Sequence, residues 1–132
     1  MIVADASVLV EALVRRGPAN DRLGSDDLAA PHLIDAEAGH ALRRHVLIGQ
    51  IDADAGRQAL AELGQIEIER YGHVGLAARA WELRNNLSYY DALYIALAES
   101  LDAPLVTLDA RLAGAPGVRS RVEVLGVSNG NG

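Results

Sequence analysis

Five short apolar runs, each separated from the next by a helical stretch, constrain the fold of this chain more than any other feature. Residues 2–5 open it as a buried run, 28–30 form a short run ended by Pro31, and Ile66-Glu67-Ile68-Glu69 alternates with period two. Leu105-Val106-Thr107 follows Pro104, and Val122-Glu123-Val124-Leu125 closes the set. Each reads as a strand. Between them, apolar residues recur at helical spacing over 6–15, 33–48, 74–84 and 88–101, and a short helix begins near Asp109. Asp52 is placed to cap a further helix ending at Gly64, and Gly49 closes the one before it. Residues 20–27 read as a polar loop. Strands divided by helices pair in parallel through right-handed crossovers, with helices covering both faces. The expected fold is α/β, a three-layer α/β/α sandwich with a mainly parallel sheet.

The 132 residues fit one domain, read as 1–127 with a flexible tail over 128–132. Half of them are hydrophobic, enough to bury a core. There is no cysteine, which removes disulfides, thiolate metal sites and cysteine nucleophiles. No basic segment followed by a long apolar one precedes residue 2, and no uncharged apolar stretch approaches the roughly 18 residues of a membrane span. The expectation is a cytoplasmic protein with no membrane contact.

Ligands of parallel sheets bind beyond the carboxyl ends of the strands, and there the acids become informative. Asp5 closes the first strand, and Asp109 follows the fourth. Asp91 falls in the first turn of the helix opened by Ser88. Steps of about 100° put Glu37 on the face of Leu33, Ile34, Ala41 and Ile48, at the border of a buried stripe. Each acid has a structural alternative. Asp5 and Asp109 can cap the helices that follow them, Asp91 can be the third position of a capping box, and Glu37 can bend to solvent. Taken together, four carboxylates at one edge repel strongly unless a cation joins them. Hard oxygen ligands suit Mg²⁺ or Mn²⁺. Such an ion binds a phosphate oxygen and acidifies a water, the chemistry of phosphodiester hydrolysis.

The net charge is −6 and all 12 basic residues are arginine. The negative balance argues against nucleic acid on its face, although arginine suits phosphate better than lysine does. Genome composition is the plainer explanation of the arginine bias, because a GC-rich genome favours Arg, Ala and Gly codons together. Arg15, Arg16, Arg43 and Arg44 are candidates for phosphate contacts or simply a solvated face. The missing lysine is a firmer exclusion. Receiver domains and haloacid-dehalogenase-type phosphatases hold a phosphoryl group with lysine, and a P-loop needs Gly-Lys.

Four segments resemble a known family. They are residues 2–10, Pro31-His32-Leu33-Ile34-Asp35-Ala36-Glu37, Tyr90-Asp91-Ala92-Leu93-Tyr94-Ile95-Ala96-Leu97-Ala98-Glu99, and Leu105-Val106-Thr107-Leu108-Asp109-Ala110-Arg111-Leu112. In this order and at these separations they resemble PIN domains, and among them the VapC toxins of bacterial toxin–antitoxin pairs. The resemblance implies a PIN-like sandwich and a metal-dependent endoribonuclease. It implies Asp5, Glu37, Asp91 and Asp109 as catalytic, metal-binding acids and Ser7 and Thr107 as hydroxyls near the metal or its waters. It further implies an RNA substrate, a VapB-type antitoxin and a homodimer. Many members carry another acid where this chain has Arg111, which leaves open whether one metal or two is held. Many carry asparagine where this chain has His40, read here as structural. A catalytically silent PIN-like binding module is the alternative. Loss of an acid would mark it, and all four are present.

Overall fold

The strand-and-helix alternation folds as the apolar runs demand. In the computed structural model, which describes residues 1–126, five parallel strands form one sheet. They are β1 (Ile2–Ala4), β2 (Leu28–Pro31), β3 (Ile68–Tyr71), β4 (Leu105–Thr107) and β5 (Val122–Val124), in the order β3-β2-β1-β4-β5. The three inner strands are buried throughout, while β3 and β5 at the edges are half-buried or exposed. Continuous apolar runs therefore lie centrally, and the polar-alternating ones lie at the rims.

Helices α1 (Ala6–Val14), α2 (Pro18–Leu23), α3 (Leu33–Leu47) and α4 (Ala53–Leu63) pack on one another. Helices α5 (Ala77–Glu82) and α6 (Tyr89–Leu101) form the second group, with α6 lying on β1, β2 and β4. The stretch Ala92 to Ala98 of α6 is wholly buried, because this helix crosses the centre of the sheet. The chain winds from β1 out to β3 on one side and returns to β4 on the other. The winding reverses between β1 and β4, the place where such sheets bind ligands. Among the described residues no helix is long and apolar enough to cross a membrane.

Several boundaries differ from expectation. Residues 18–23 form helix α2 where a polar loop was expected from 20. Pro18 sits in its first turn, where its missing N–H costs nothing, and Ala19 and Leu23, four apart, are buried. Strand β3 begins at Ile68 and not at 66, because the Ile66 N–H donates to the carbonyls of Glu62 and Leu63 and completes the end of α4. The expected helix over 74–84 is a 3₁₀ turn (Val74–Leu76) followed by the short α5. Ile48, expected on the buried stripe of α3, is exposed, since α3 ends at Leu47 and Gly49 turns the chain at φ +80°. Asp52 caps α4 through the Ala55 N–H, as expected. The tail expected over 128–132 lies outside the described residues.

Candidate active site

Strand register brings the first pair of site residues together. Val3 faces Leu105 and Ala4 faces Val106, so the next residues, Asp5 and Thr107, meet at the carboxyl end of the sheet. The Asp5 N–H donates to the Val106 carbonyl at 3.3 Å. Asp5 and Thr107 are both buried. The Thr107 hydroxyl donates to Oδ2 of Asp5. The Ser7 hydroxyl donates to Oδ1 at 2.6 Å, and the Val8 N–H donates to the same oxygen at 3.2 Å. Asp5 thus caps α1 while its carboxylate is held from both sides. Ser7 Oγ in turn accepts the Leu108 N–H at 3.1 Å, and Thr107 Oγ1 accepts the Asp109 N–H at 3.0 Å. Both hydroxyls act as clamps that fix Asp5 and stitch the loop after β1 to the loop after β4.

The other three acids surround this knot. Asp109 caps a 3₁₀ turn (Ala110–Gly114) through the Arg111 N–H, and the Arg111 guanidinium also closes onto its carboxylate. Asp91 lies in the first turn of α6, where Ser88 Oγ accepts its backbone N–H at 3.1 Å. Glu37 sits on α3, half-buried, beside Tyr94 of α6. The Tyr94 hydroxyl is sealed from solvent and makes no hydrogen bond of ordinary geometry among the described residues, so its approach to Glu37 is a loose one.

Electrostatics ties the four together. Burial raises the Asp5 carboxyl above its ordinary pKa, against the bonds from Ser7, Thr107 and Val8, and the charge of Asp91 pushes it further up. Burial raises Glu37 as well, opposed by Tyr94 and reinforced by Asp91 and Asp5. Asp91 is raised by burial, eased by Ser88 and pushed up again by Asp109. Only Asp109 is lowered, chiefly by its bonds from Arg111. Asp91 is the hub, coupled to each of the others.

The donor chemistry is that of a hard divalent cation, four carboxylates with three of them disfavoured as free anions. The side chains do not yet enclose one. Among the described residues no three Asp, Glu, His or Cys side chains converge to hold an ion, and Asp109 is turned onto Arg111. His40, read as structural, is exposed on α3 and is no core histidine.

Sequence reasoning passed over two residues. Glu11 of α1 is buried and pairs with Arg15 at 2.7 Å, and Tyr94 is the largest wholly buried side chain. The helical spacing of Ser7, Glu11 and Arg15, four apart, was the available signal for Glu11.

Known proteins resemble this chain in sequence and in fold. The PIN domain family model matches residues 2–118. Ribonuclease VapC1 of Mycobacterium tuberculosis (strain ATCC 25618 / H37Rv) is 44% identical over 128 residues, 93% of this chain and 96% of the relative. Ribonuclease VapC9 of the same strain is 45% identical over 113 residues, 86% and 89% of the two chains. Among solved structures, PAE2754 from Pyrobaculum aerophilum superposes with a TM-score of 0.69 at 28% identity, covering 93% of this chain and 83% of its own.

Proposed function

The chain belongs to the PIN-domain family, and on that premise we propose that it is a metal-dependent endoribonuclease acting as the toxin of a toxin–antitoxin pair. The observation that carries this reading is the electrostatic coupling of Asp5, Glu37, Asp91 and Asp109 where the sheet reverses its winding. Relatives 44–45% identical over most of the chain and named as VapC ribonucleases support it.

The four acids are the residues that would hold Mg²⁺ or Mn²⁺. When bound there, the ion supplies Lewis acidity at a phosphate oxygen and acidifies a water. The protein supplies the rest. Ser7 and Thr107 lock the Asp5 carboxylate in one orientation, so it costs no reorganisation when charge develops beside it. Asp91 raises Asp5 and Glu37 and is itself raised by Asp109, so charge at the site is poised for neutralisation. Glu37 makes no hydrogen bond stronger than its loose approach to Tyr94, and burial eases its protonation. It is the group we assign to accept the proton of the attacking water. Water adds to phosphorus, one ester P–O bond breaks, and the leaving oxygen takes up a proton.

The partners follow from the same reading. RNA is the substrate, a VapB-type antitoxin shields the acids, and a second copy of the chain completes a dimer. The antitoxin needs a cationic group for the acidic site, and an arginine fork supplies one.

The test is incubation of purified protein with structured RNA in chelator and in Mn²⁺. Cleavage in Mn²⁺ alone is expected, and it should disappear in Asp91→Asn. Equal cleavage in chelator, or none in either condition, rejects the reading.

A further inference from the structure

A cleft with a mixed lining of apolar and polar side chains leads away from the acids between α1 and α3. Ser7 and Glu11 lie four residues apart on one face of α1, and Arg15 follows at its C-terminal cap, bonded to Glu11. Glu37 and His45 lie eight apart on one face of α3, with Ala41 between them. Both stripes therefore start at the acidic site and end about 12 Å away, at about 1.5 Å per residue. Between them runs a cleft of about 360 Å³, lined by Ser7 and Leu108 at its near end and by Arg15, His45 and Gln50 at its far end. Ala41, a small residue, keeps its middle open.

The one carboxylate in its lining, Glu11, is paired with Arg15, and the far end adds the polar groups of His45 and Gln50. Among the described residues the Arg15 side chain is held by one contact, its Nη1 on Glu11 at 2.7 Å, and it is over one-third exposed. That bond engages Nη1 alone, and Arg15 lines the cleft. His45 lines the cleft, and its Nδ1, sealed from solvent, has no hydrogen-bond partner among the described residues, so the ring gains a bond by turning that atom toward a ligand in the cleft. Gln50 adds an exposed amide, which can pair with a base edge. Five other arginines are committed elsewhere, Arg22 to Glu123, Arg57 to Asp54, Arg70 to Asp35, Arg79 to Glu99 and Arg111 to Asp109.

We propose that this cleft is a nucleotide subsite, in which Arg15 binds a phosphate of the RNA flanking the scissile bond and His45 with Gln50 contacts its base. The proposal rests on the ribonuclease reading of the acids. The span of about 12 Å sets the subsite beyond the nucleotides that meet the acids. It selects among RNA sequences without touching the reacting atoms.

The test measures RNA binding separately from cleavage. In an Asp91→Asn background, anisotropy of a fluorescein-labelled, mixed-sequence single-stranded RNA octamer is followed over rising KCl. The double variant Glu11→Gln/Arg15→Gln removes both charges of the pair and leaves no buried acid unpaired. It is expected to flatten the slope of log affinity against log salt by about 0.7, one phosphate contact on a single strand. His45→Gln is expected to weaken binding about fivefold, one hydrogen bond's worth, with the slope kept. In the active protein His45→Gln should raise KM and spare kcat. Melting curves verify folding, and if the double variant fails to fold, the His45→Gln result decides. Unchanged affinity and slope in a protein that still cleaves RNA overturns the subsite and leaves the ribonuclease reading standing. Weakened capture of a co-expressed antitoxin with RNA binding unchanged also overturns it, and marks the cleft as a protein surface. No RNA binding in the Asp91→Asn background and no cleavage by wild type overturns both readings.

Discussion

Thr107 and Asp5 are 102 residues apart in sequence, yet the Thr107 hydroxyl donates to Oδ2 of Asp5 while accepting the Asp109 N–H at 3.0 Å. One buried hydroxyl therefore aligns two of the acids. Thr107→Val keeps the β-branched shape and loses both bonds. Stability should fall by about 1–3 kcal/mol, the cost of leaving buried polar groups unpaired. RNA cleavage should fall at least tenfold as Asp5 loses its orientation, while Thr107→Ser should retain most of both properties. Thermal melting and a cleavage assay on the three proteins decide it. Wild-type cleavage by the valine variant would show that Asp5 needs no clamp.

Asp91→Asn should separate chemistry from folding. The cap that starts α6 uses the backbone N–H of Asp91 on Ser88 Oγ, and asparagine retains it. Its carboxylate is disfavoured by burial and by Asp109, so losing the charge costs the fold nothing. The melting temperature should hold or rise slightly. Cleavage should drop by more than the roughly 10–100-fold expected for a group that only orients a metal ligand. The exposed His40 gives the contrast, since His40→Ala should change neither measurement.

The sequence made these acids legible to different degrees. Continuous apolar runs declare the inner strands, so the position of Asp5 and Asp109 at strand ends follows from local pattern. That Asp5 touches Thr107 follows only from the register of β1 on β4, which no local pattern carries. Helix α2 was hidden because Asn20, Asp21 and Arg22 are polar and only Ala19 and Leu23 mark its buried side. Glu11 looks like a surface residue of an amphipathic helix. It is buried because α3 packs across α1, a tertiary fact. The departure at Arg111 was visible, but its closure onto Asp109 was not.

That closure makes Arg111 a competitor for any cation at the site. Arg111 is largely exposed, with its side chain 81% accessible, so the pair is weak and screened by water. Arg111→Ala should release Asp109 and remove a nearby positive charge. Both changes favour a divalent ion, and Mn²⁺ affinity by calorimetry should improve roughly two- to fivefold at low salt, with the gain shrinking as salt rises. Weaker Mn²⁺ binding in this variant would mean that Arg111 organises the site.

Stability without metal should depend on pH through Asp5, Glu37 and Asp91, all raised chiefly by burial. A carboxyl whose folded pKa exceeds its unfolded value contributes stability that is complete below the unfolded pKa. That contribution is lost as pH rises through the folded pKa. These three groups therefore favour the apo fold at mildly acidic pH over neutral pH. Asp109, lowered by Arg111, acts in the opposite sense, because its contribution is lost as pH falls through its folded pKa. With three groups against one, the metal-free protein should melt at a higher temperature near pH 5 than near pH 7, above the range where Asp109 titrates. Millimolar Mn²⁺ should raise the neutral melting temperature by binding only the folded state. Glu37→Gln is the informative variant, because Glu37 holds no helix cap and joins no tight bonding network. It should stabilise the apo protein at neutral pH, flatten the pH dependence and reduce the gain from Mn²⁺. Melting curves in chelator and in Mn²⁺ at both pH values measure all three effects. A destabilised apo Glu37→Gln protein, with an unchanged response to Mn²⁺, would mean that Glu37 supports the packing of α3 against α6 and takes no part in a cation site.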